Sequence, residues 1–276
     1  MKPIWQAVER AKAESTPHET KHQPIPKPSS PIPGTLGQDR RPEPVLTRPK
    51  IDLDRRRLQT NRIVAHDAKD PRSKAFDILR TQVLQAMDHE NWKILAATSP
   101  RASCGKTVTA INLALSISRL PERGVLLVDL DLQKPKLATC LGLNCKHGVV
   151  GILEGRVALQ DALIETRIGN NRVLVLPAET RVIDSSELMA SRAMRTMLQD
   201  IRRQFESHII VLDLPPMLVA DDVLALLPQV DCVLLVAAVG SSTVSEIQQC
   251  NKHLQSTPLV RLVLTKSREP DGDYYY

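Results

Sequence analysis

The sequence lacks the features that mark secreted and membrane-spanning proteins. Its 276 residues include 5 Cys, an odd number, and none of them forms a CxxC pair. This usage predicts reduced thiols rather than a disulfide framework. No apolar run approaches the ~20 residues that a membrane helix needs, and the Pro-rich, charged N-terminal stretch is unlike a signal peptide. We therefore expect a cytoplasmic protein without a membrane span.

Aromatic residues are almost as scarce. There are 2 Trp, 2 Phe and 3 Tyr, and the tyrosines stand together as Tyr274, Tyr275 and Tyr276. Residues 269–273, which precede them, are polar, include Pro and Gly, and carry no helix signal. Residues 268–276 are therefore predicted to form a short flexible tail that contains every tyrosine of the chain.

Proline and positive charge are concentrated at the other end. Residues 1–60 hold 12 Lys or Arg against 7 Asp or Glu, so +5 of the net charge of +6 lies there. The prolines between residues 17 and 50 oppose both helix and sheet. We expect residues 1–61 to be disordered. A basic tail can contact nucleic acid or anionic lipid, but a solvated linker is the favoured interpretation, and no nucleic-acid partner is expected.

Apolar strands and helix-patterned segments alternate through the rest of the chain. The predicted strands are residues 93–98, 124–129, 172–176, 208–213, 231–237 and 259–264. The predicted helices are residues 73–87, 110–120, 186–205, 220–227 and 243–254. Continuous apolar strands between helices are typical of a buried parallel sheet. We predict one α/β domain over residues 62–267, with a parallel sheet flanked by helices on both faces.

The loop after the first predicted strand ends in Gly-Lys-Thr and leads into a helix. This order of elements is the one that a phosphate-binding P-loop requires, since a helix N-terminus favours an anion. In that role Lys106 would reach the outer phosphates and the Thr107 hydroxyl would ligate Mg²⁺. The predicted nucleotide-binding residues are Arg101, Ala102, Ser103, Cys104, Gly105, Lys106, Thr107 and Val108.

The loop departs from the usual P-loop pattern at two positions. Pro100 stands where the pattern begins with Gly, and Ser103 stands where many such loops have another Gly. Glycine is used there because the backbone approaches phosphate closely and can need a positive φ. A non-glycine residue in that geometry costs roughly 1–2 kcal/mol, which a folded domain can tolerate.

Two further strands end in carboxylates. Asp129 and Asp131 end the strand at 124–129, and Asp213 ends the strand at 208–213. Ligands of an open parallel sheet bind at the carboxyl ends of its strands. Phosphoryl transfer needs a metal, a phosphate cradle and a carboxylate near the acceptor, and these stretches can supply all three.

These motifs resemble those of a known family, the bacterial tyrosine autokinases of capsule and exopolysaccharide synthesis. They belong to the partition-type P-loop ATPases. Residues 128–135 look like the second Walker motif of that family, and residues 209–216 look like its Walker B strand with the Asp-x-Pro-Pro ending. Residues 79–81, 186–188 and 220–222 also have counterparts, and the terminal tyrosines resemble the family's cluster of autophosphorylated tyrosines.

The resemblance implies an ATP- and Mg²⁺-dependent protein-tyrosine kinase. The catalytic residues would be Lys106, Asp129 and Asp131, and the metal would be held by Thr107, Asp129 and Asp213. The phosphate acceptors would be Tyr274, Tyr275 and Tyr276. The family also implies a membrane-embedded chain-length regulator (a polysaccharide copolymerase) as activator, a cognate tyrosine phosphatase and a possible homo-oligomer. The location would be the inner face of the plasma membrane, reached through the regulator.

Two family features are altered in this chain. The Glu-x-x-Arg-x-x-Arg contact motif corresponds to Lys74, Asp77 and Arg80, so only its last residue is kept. Thr265 and Lys266 follow the last strand where the family often has Asn near the base.

Two alternatives to a kinase therefore stay open: a degenerate adaptor of polysaccharide export with weak or no activity, and a partition-type ATPase that positions a cargo. A metal site at Cys140, Cys145 and His147 is disfavoured because a fourth ligand is missing.

Overall fold

Eight strands form one sheet in a computed structural model that describes residues 48–219, 222–254 and 257–267. The strands are β1 (Lys50–Asp52), β2 (Ile94–Thr98), β3 (Gly124–Asp129), β4 (Ile164–Ile168), β5 (Asn171–Leu176), β6 (His208–Asp213), β7 (Cys232–Ala238) and β8 (Leu259–Thr265). Their order across the sheet is β1-β4-β5-β3-β6-β2-β7-β8. The strands β2, β3 and β6, whose carboxyl ends carry the predicted site, are therefore central.

The helices lie between these strands in the chain. They are α1 (Arg55–Thr60), α2 (Ser73–His89), α3 (Lys106–Ser118), α4 (Leu137–Leu141), α5 (Val149–Leu153), α6 (Leu159–Ala162), α7 (Ser186–Ala190), α8 (Arg192–Gln204), α9 (Asp222–Leu226) and α10 (Val244–His253). The predicted helix at 186–205 is two helices in the structure. Ser191 separates them and starts the second, because its side chain accepts a hydrogen bond from the Met194 N–H.

Helices cover both faces of the sheet, as predicted. Successive side chains of a strand point to opposite faces, and the two faces of β2 enter two different apolar clusters. Ile94 and Ala96 pack in the cluster that includes α8 and α10. Leu95 and Ala97 pack in the cluster that includes α2 and α3. The predicted α/β sheet with two helical layers is confirmed.

One pair of neighbouring strands is not parallel. β4 pairs antiparallel with β5, and the turn between them contains Gly169 at a φ of +56°. In β4, buried residues alternate with half-buried ones, which is the pattern of a strand near the sheet edge rather than of a central parallel strand. A strand with this alternation contains no continuous apolar run, so the criterion used for the other strands does not identify it.

The fold begins earlier than the predicted boundary at residue 62. β1 pairs parallel with β4, and α1 follows it. Leu53 and Leu58 are 8% and 0% exposed and pack in the cluster that includes α2 and α3. Residues 50–60 are thus part of the folded unit, and the expectation of disorder up to residue 61 is wrong for them. Residues 1–47 and the tail at 268–276 lie outside the described residues.

Within the described ranges, none of the helices combines the length and the apolar character required to cross a bilayer.

Candidate nucleotide site

The loop between β2 and α3 has the backbone geometry of an anion-binding turn. Gly105 caps the N-terminus of α3 with a φ of +91°, and Ser103 lies at a φ of +65°. Ser103 therefore adopts the left-handed geometry in which glycine is usual, at a cost of about 1–2 kcal/mol. The free N–H groups and the dipole of the 13-residue helix α3 face this loop. This backbone geometry is compatible with the predicted phosphate cradle.

Lys106 and Thr107 begin α3, and both contact carboxylates from neighbouring strands. The Lys106 Nζ donates to Asp131 Oδ2 at 2.7 Å and to Asp213 Oδ1 at 3.3 Å. The Thr107 hydroxyl donates to Asp213 Oδ2 at 2.6 Å. These side chains are at most 10% exposed. Residues 25 to 107 positions apart in the chain thus meet at one point at the carboxyl edge of the sheet.

Asp129 and Asp131 have different surroundings although they are two residues apart. Both oxygens of Asp129 accept backbone N–H groups, from Asp131 at 3.2 Å and from Leu137 at 3.0 Å, and the residue is 0% exposed. Asp131 is 6% exposed, and its two oxygens accept from Lys106 Nζ at 2.7 Å and from the Lys134 N–H at 3.1 Å. Asp129 therefore shapes the turn after β3, while Asp131 presents its carboxylate to Lys106.

Three carboxyl groups and a single lysine are buried at the site. Burial and the neighbouring Asp213 raise the pKa of Asp129 to about 8. Burial also raises the pKa of Asp213, although Lys106 and the Thr107 hydroxyl oppose that shift. Burial disfavours the charge on Lys106, but the carboxylates of Asp213 and Asp131 outweigh it and hold the pKa of Lys106 above its ordinary value. The single lysine contacts two of the three buried carboxyl groups, Asp131 and Asp213.

The residues fit a magnesium ion that is shared with a phosphate ligand. Mg²⁺ prefers oxygen donors and is commonly held by one or two carboxylates together with substrate phosphates. The Thr107 hydroxyl and the Asp213 carboxylate are in contact, and a bound cation would favour the ionised form of the buried carboxyl groups. No group of three or more His, Cys, Asp or Glu residues within 48–219, 222–254 and 257–267 is arranged to hold a metal by itself. Cys140, Cys145 and His147 are among these residues, and they form no such group.

A second polar cluster lies next to this site. The buried Asp222 carboxylate accepts hydrogen bonds from the Ser185 and Ser186 hydroxyls and from Gln133, the last at 3.4 Å. Gln133 belongs to the loop that begins with Asp129 and Asp131. Three of the short stretches on which the family resemblance rested therefore meet in space, and they tie the loop after β3 to α7 and α9.

A cavity of about 810 Å³ lies beside the loop, between α2 and β8. Phe76 and Leu79 line it from α2, Val108 lines it from α3, and Leu264 and Thr265 line it from β8. Its walls are mostly apolar, and the cavity reaches Gly105 at the start of α3. It offers a space of molecular size directly beside the phosphate cradle.

The contacts that hold this loop in place come from β8, from the turn between β7 and α10, and from α10 itself, and the sequence did not predict them. Arg101 forms an ion pair with Glu246, and the Cys104 thiol lies 3.5 Å from the Ser242 hydroxyl. The Cys104 carbonyl accepts a hydrogen bond from Thr265 at 2.6 Å. A signal for one of them was present in the sequence, because Thr243-Val-Ser-Glu246 has the Thr-x-x-Glu spacing of a capping box, and Thr243 and Glu246 form one at the start of α10.

The structure thus brings together Lys106, Thr107, Asp129, Asp131 and Asp213 at the helix end of the loop. Of the other predicted loop residues, Arg101, Ala102 and Ser103 are exposed, Cys104 is buried, and Gly105 and Val108 are partly buried. Tyr274, Tyr275 and Tyr276 lie outside the described residues, so their role stays a prediction.

A parallel sheet with a Gly-Lys-Thr loop at its carboxyl edge defines a P-loop nucleotide-binding protein. Comparison with family models makes the class specific: residues 92–257 match the AAA domain family, and the chain belongs to that family. Membership implies a nucleotide site that works with a metal ion.

Several of the similar proteins are named as bacterial tyrosine kinases, which confirms the predicted resemblance. EpsB of Ralstonia solanacearum, whose name places it among tyrosine-protein kinases, is 28% identical over 207 residues, which are 75% of this chain and 27% of EpsB. Tyrosine-protein kinase CpsD of Streptococcus pneumoniae serotype 4 is 27% identical over 60% of this chain and 71% of CpsD. The VpsO kinase domain has 26% identity and a TM-score of 0.59, covering 70% of this chain and 96% of that domain. The chain spans about a quarter of the length of EpsB.

Proposed function

We propose that this chain is an ATP-dependent protein-tyrosine autokinase that regulates the polymerisation and export of capsule or exopolysaccharide. The observation that carries the proposal is the contact of Lys106 with Asp131 and Asp213 at the N-terminus of α3. A P-loop lysine surrounded by strand-end carboxylates can bind a phosphoryl group and position an acceptor beside it. The tyrosine cluster at 274–276 supplies the acceptor.

In this proposal the loop and the start of α3 bind the phosphates of ATP. The backbone N–H groups around Gly105 face the phosphates, and Lys106 places its positive charge on the outer one. Thr107 and Asp213 hold Mg²⁺, which neutralises charge on the phosphates when it is bound. The adenosine end lies in the cavity between α2 and β8, where Val108 and Leu264 provide apolar contact.

Asp131 is the better candidate for accepting the tyrosine proton. Asp129 is 0% exposed, and backbone N–H groups donate to both of its oxygens, whereas one of the two hydrogen bonds to Asp131 comes from Lys106. Asp131 is the more exposed of the two at 6%, and its bond to Lys106 places it next to the group that binds the transferring phosphate. Asp129 then acts by shaping the turn that presents Asp131.

The phosphorylated residues in this proposal are Tyr274, Tyr275 and Tyr276. The described chain ends at Ser267, which lines the cavity beside the loop. The stretch from there to Tyr274 extends at most roughly 25 Å at ~3.3–3.6 Å per residue. Attachment to the same molecule gives the tyrosines a high local concentration near a cleft within that reach. Transfer to a neighbouring copy requires that copy's cleft to lie within the same reach, and the mixing experiment below tests this transfer in trans.

The partners follow from the resemblance to the capsule and exopolysaccharide kinases. We propose that a membrane-embedded chain-length regulator activates the chain from its cytoplasmic end and holds it at the inner face of the plasma membrane. A cognate tyrosine phosphatase would reverse the modification. Assembly of copies remains part of the proposal, although Asp77 of the altered contact motif bonds Arg80, Arg119 and Ser116 within the chain.

The test uses the purified full chain with ATP and Mg²⁺, with and without the regulator's cytoplasmic segment. Lys106→Met should abolish phosphate transfer while leaving the fold intact, and Lys252→Met, which removes an exposed lysine on α10, should not. In a mixture, Lys106→Met chains with an intact tail should be phosphorylated by active chains that lack residues 268–276. Equal activity of wild type and Lys106→Met would contradict the proposal.

A degenerate adaptor is the second candidate, because Ser103 adopts a φ of +65° without being glycine. This candidate predicts that the chain binds the regulator's cytoplasmic segment but transfers no phosphate under the same conditions. A binding measurement run in parallel with the phosphate assay separates the two functions.

A further inference from the structure

The nucleotide loop of this chain is supported from a distant part of the sequence. Its backbone has two left-handed positions two residues apart, Ser103 and Gly105, and only the second is a glycine. A loop with a non-glycine residue at such a position relaxes to another conformation unless its surroundings hold it. The contacts that hold it come from residues 242–265, in the last third of the chain.

The first contact comes from the end of β8. Thr265 Oγ1 donates to the carbonyl oxygen of Cys104 at 2.6 Å and lies 3.2 Å from the carbonyl oxygen of Ala237. A hydroxyl has one proton, and the shorter distance assigns it to Cys104. The Thr265 side chain would lie 3.6 Å from a Cβ built on Gly105. Thr265 therefore packs directly against the peptide that joins Cys104 to Gly105.

The other contacts come from the turn between β7 and α10. Cys104 is 1% exposed, and its thiol lies 3.5 Å from Ser242 Oγ. Ser242 is itself fixed, because its hydroxyl accepts a hydrogen bond from the Ala238 N–H at 3.0 Å. Arg101 pairs with Glu246, whose carboxylate also accepts the Thr243 N–H at 2.9 Å and so caps α10.

We propose that Thr265 is a positioning residue for nucleotide binding, which together with Ser242 and Glu246 holds the loop in the conformation that Ser103 alone disfavours. The inference rests on the proposed nucleotide site and adds how an altered P-loop remains able to bind. The support comes from β8, the strand that leads to the tyrosine tail, so a direct hydrogen bond links the last strand to the loop.

The test compares Thr265→Val with Thr265→Ser in the full chain. Valine keeps the shape but removes the hydrogen bond to Cys104, and serine keeps the hydroxyl. The Kd of a fluorescent ADP analogue with Mg²⁺ should rise about fivefold to tenfold for Thr265→Val, the size of one lost hydrogen bond, and less than twofold for Thr265→Ser. Glu246→Gln, which weakens the contact to Arg101, should raise the Kd in the same direction.

A second substitution separates loop positioning from a general role in β8. In the Ser103→Gly background the loop needs less support, so Thr265→Val should change the Kd by less than twofold. Alkylation of the thiols, followed by peptide mass spectrometry, adds a readout without nucleotide. Thr265→Val should speed the alkylation of Cys104 but not that of Cys232, which is 0% exposed within β7.

Three results would overturn the inference. The first is an unchanged Kd for Thr265→Val. The second is an equal loss of affinity in the Ser103 and Ser103→Gly backgrounds. The third is equal acceleration of alkylation at Cys104 and Cys232, which indicates global unfolding. A wild-type chain that binds no ADP analogue would instead remove the proposed nucleotide site itself, and the supporting role of Thr265 with it.

Discussion

Asp129 and Asp213 stand directly opposite each other at the carboxyl ends of the neighbouring parallel strands β3 and β6. Both are 0% exposed. Two carboxylates in this position disfavour each other's charge, and burial adds to the effect. The pair of carboxyl groups that attracts a metal ion therefore costs free energy to ionise when no cation is bound.

We predict that the chain without Mg²⁺ loses stability as the pH rises from about 4 to about 8. The folded pKa of Asp129 is about 8 against an unfolded value of 3.8, so between these values the folded state retains a proton that the unfolded state has released. The stabilisation is complete below the lower value and is lost as the pH passes the upper one. Urea unfolding at a series of pH values measures it.

Asp129→Asn is the control for this prediction, because it removes the titrating group. Its unfolding free energy should depend less steeply on pH over the same range, whatever its absolute value. A pH slope as steep as that of the wild type would show that other groups cause the dependence.

Asp213→Asn should weaken Mg²⁺-dependent nucleotide binding more than it weakens the fold. The Thr107 hydroxyl donates to this carboxylate at 2.6 Å, and the substitution removes a negative ligand for the metal. We expect about a tenfold loss of Mg-ADP affinity, or about 1.4 kcal/mol. Thermal melting with and without Mg-ADP measures it, with Asp200→Asn on α8 as the control. An equal ligand-induced rise in Tm for Asp213→Asn and wild type would count against the metal role.

Leu58→Ala should destabilise the whole domain by about 2–4 kcal/mol, as expected for a large side chain removed from a core. Leu58 is 0% exposed in α1, before the predicted boundary at residue 62. Gln59→Ala, at an exposed neighbouring position, should have little effect. Urea denaturation distinguishes the two, and a Leu58→Ala variant as stable as wild type would place α1 outside the cooperative unit.

The central part of the fold could be predicted because its strands are buried on both faces. The strand at Gly124–Asp129 and the strand at His208–Asp213 were predicted with the bounds that the structure shows. Continuous apolar sequence identifies such strands, and the polar residue that ends each one marks the carboxyl edge. The grouping of Lys106 with Asp129 and Asp213 followed from parallel topology alone.

The elements that were missed lie at the sheet edge and depend on partners. β1 has only three residues, and it forms a strand because it pairs with β4. A segment this short has no local sequence pattern that predicts a strand. The contact of Thr265 with Cys104 joins residues 161 positions apart. A threonine at the end of a strand carries no sign of such a partner in the sequence, and only the folded chain shows it.

The most direct test of the proposed kinase function is a phosphate map of the wild-type chain after incubation with ATP, Mg²⁺ and the regulator's cytoplasmic segment. Peptide mass spectrometry should find phosphate on Tyr274, Tyr275 or Tyr276, and none on these residues in Lys106→Met treated in the same way. Wild-type chains without phosphate on any of the three tyrosines would contradict the kinase function and leave the adaptor function in its place.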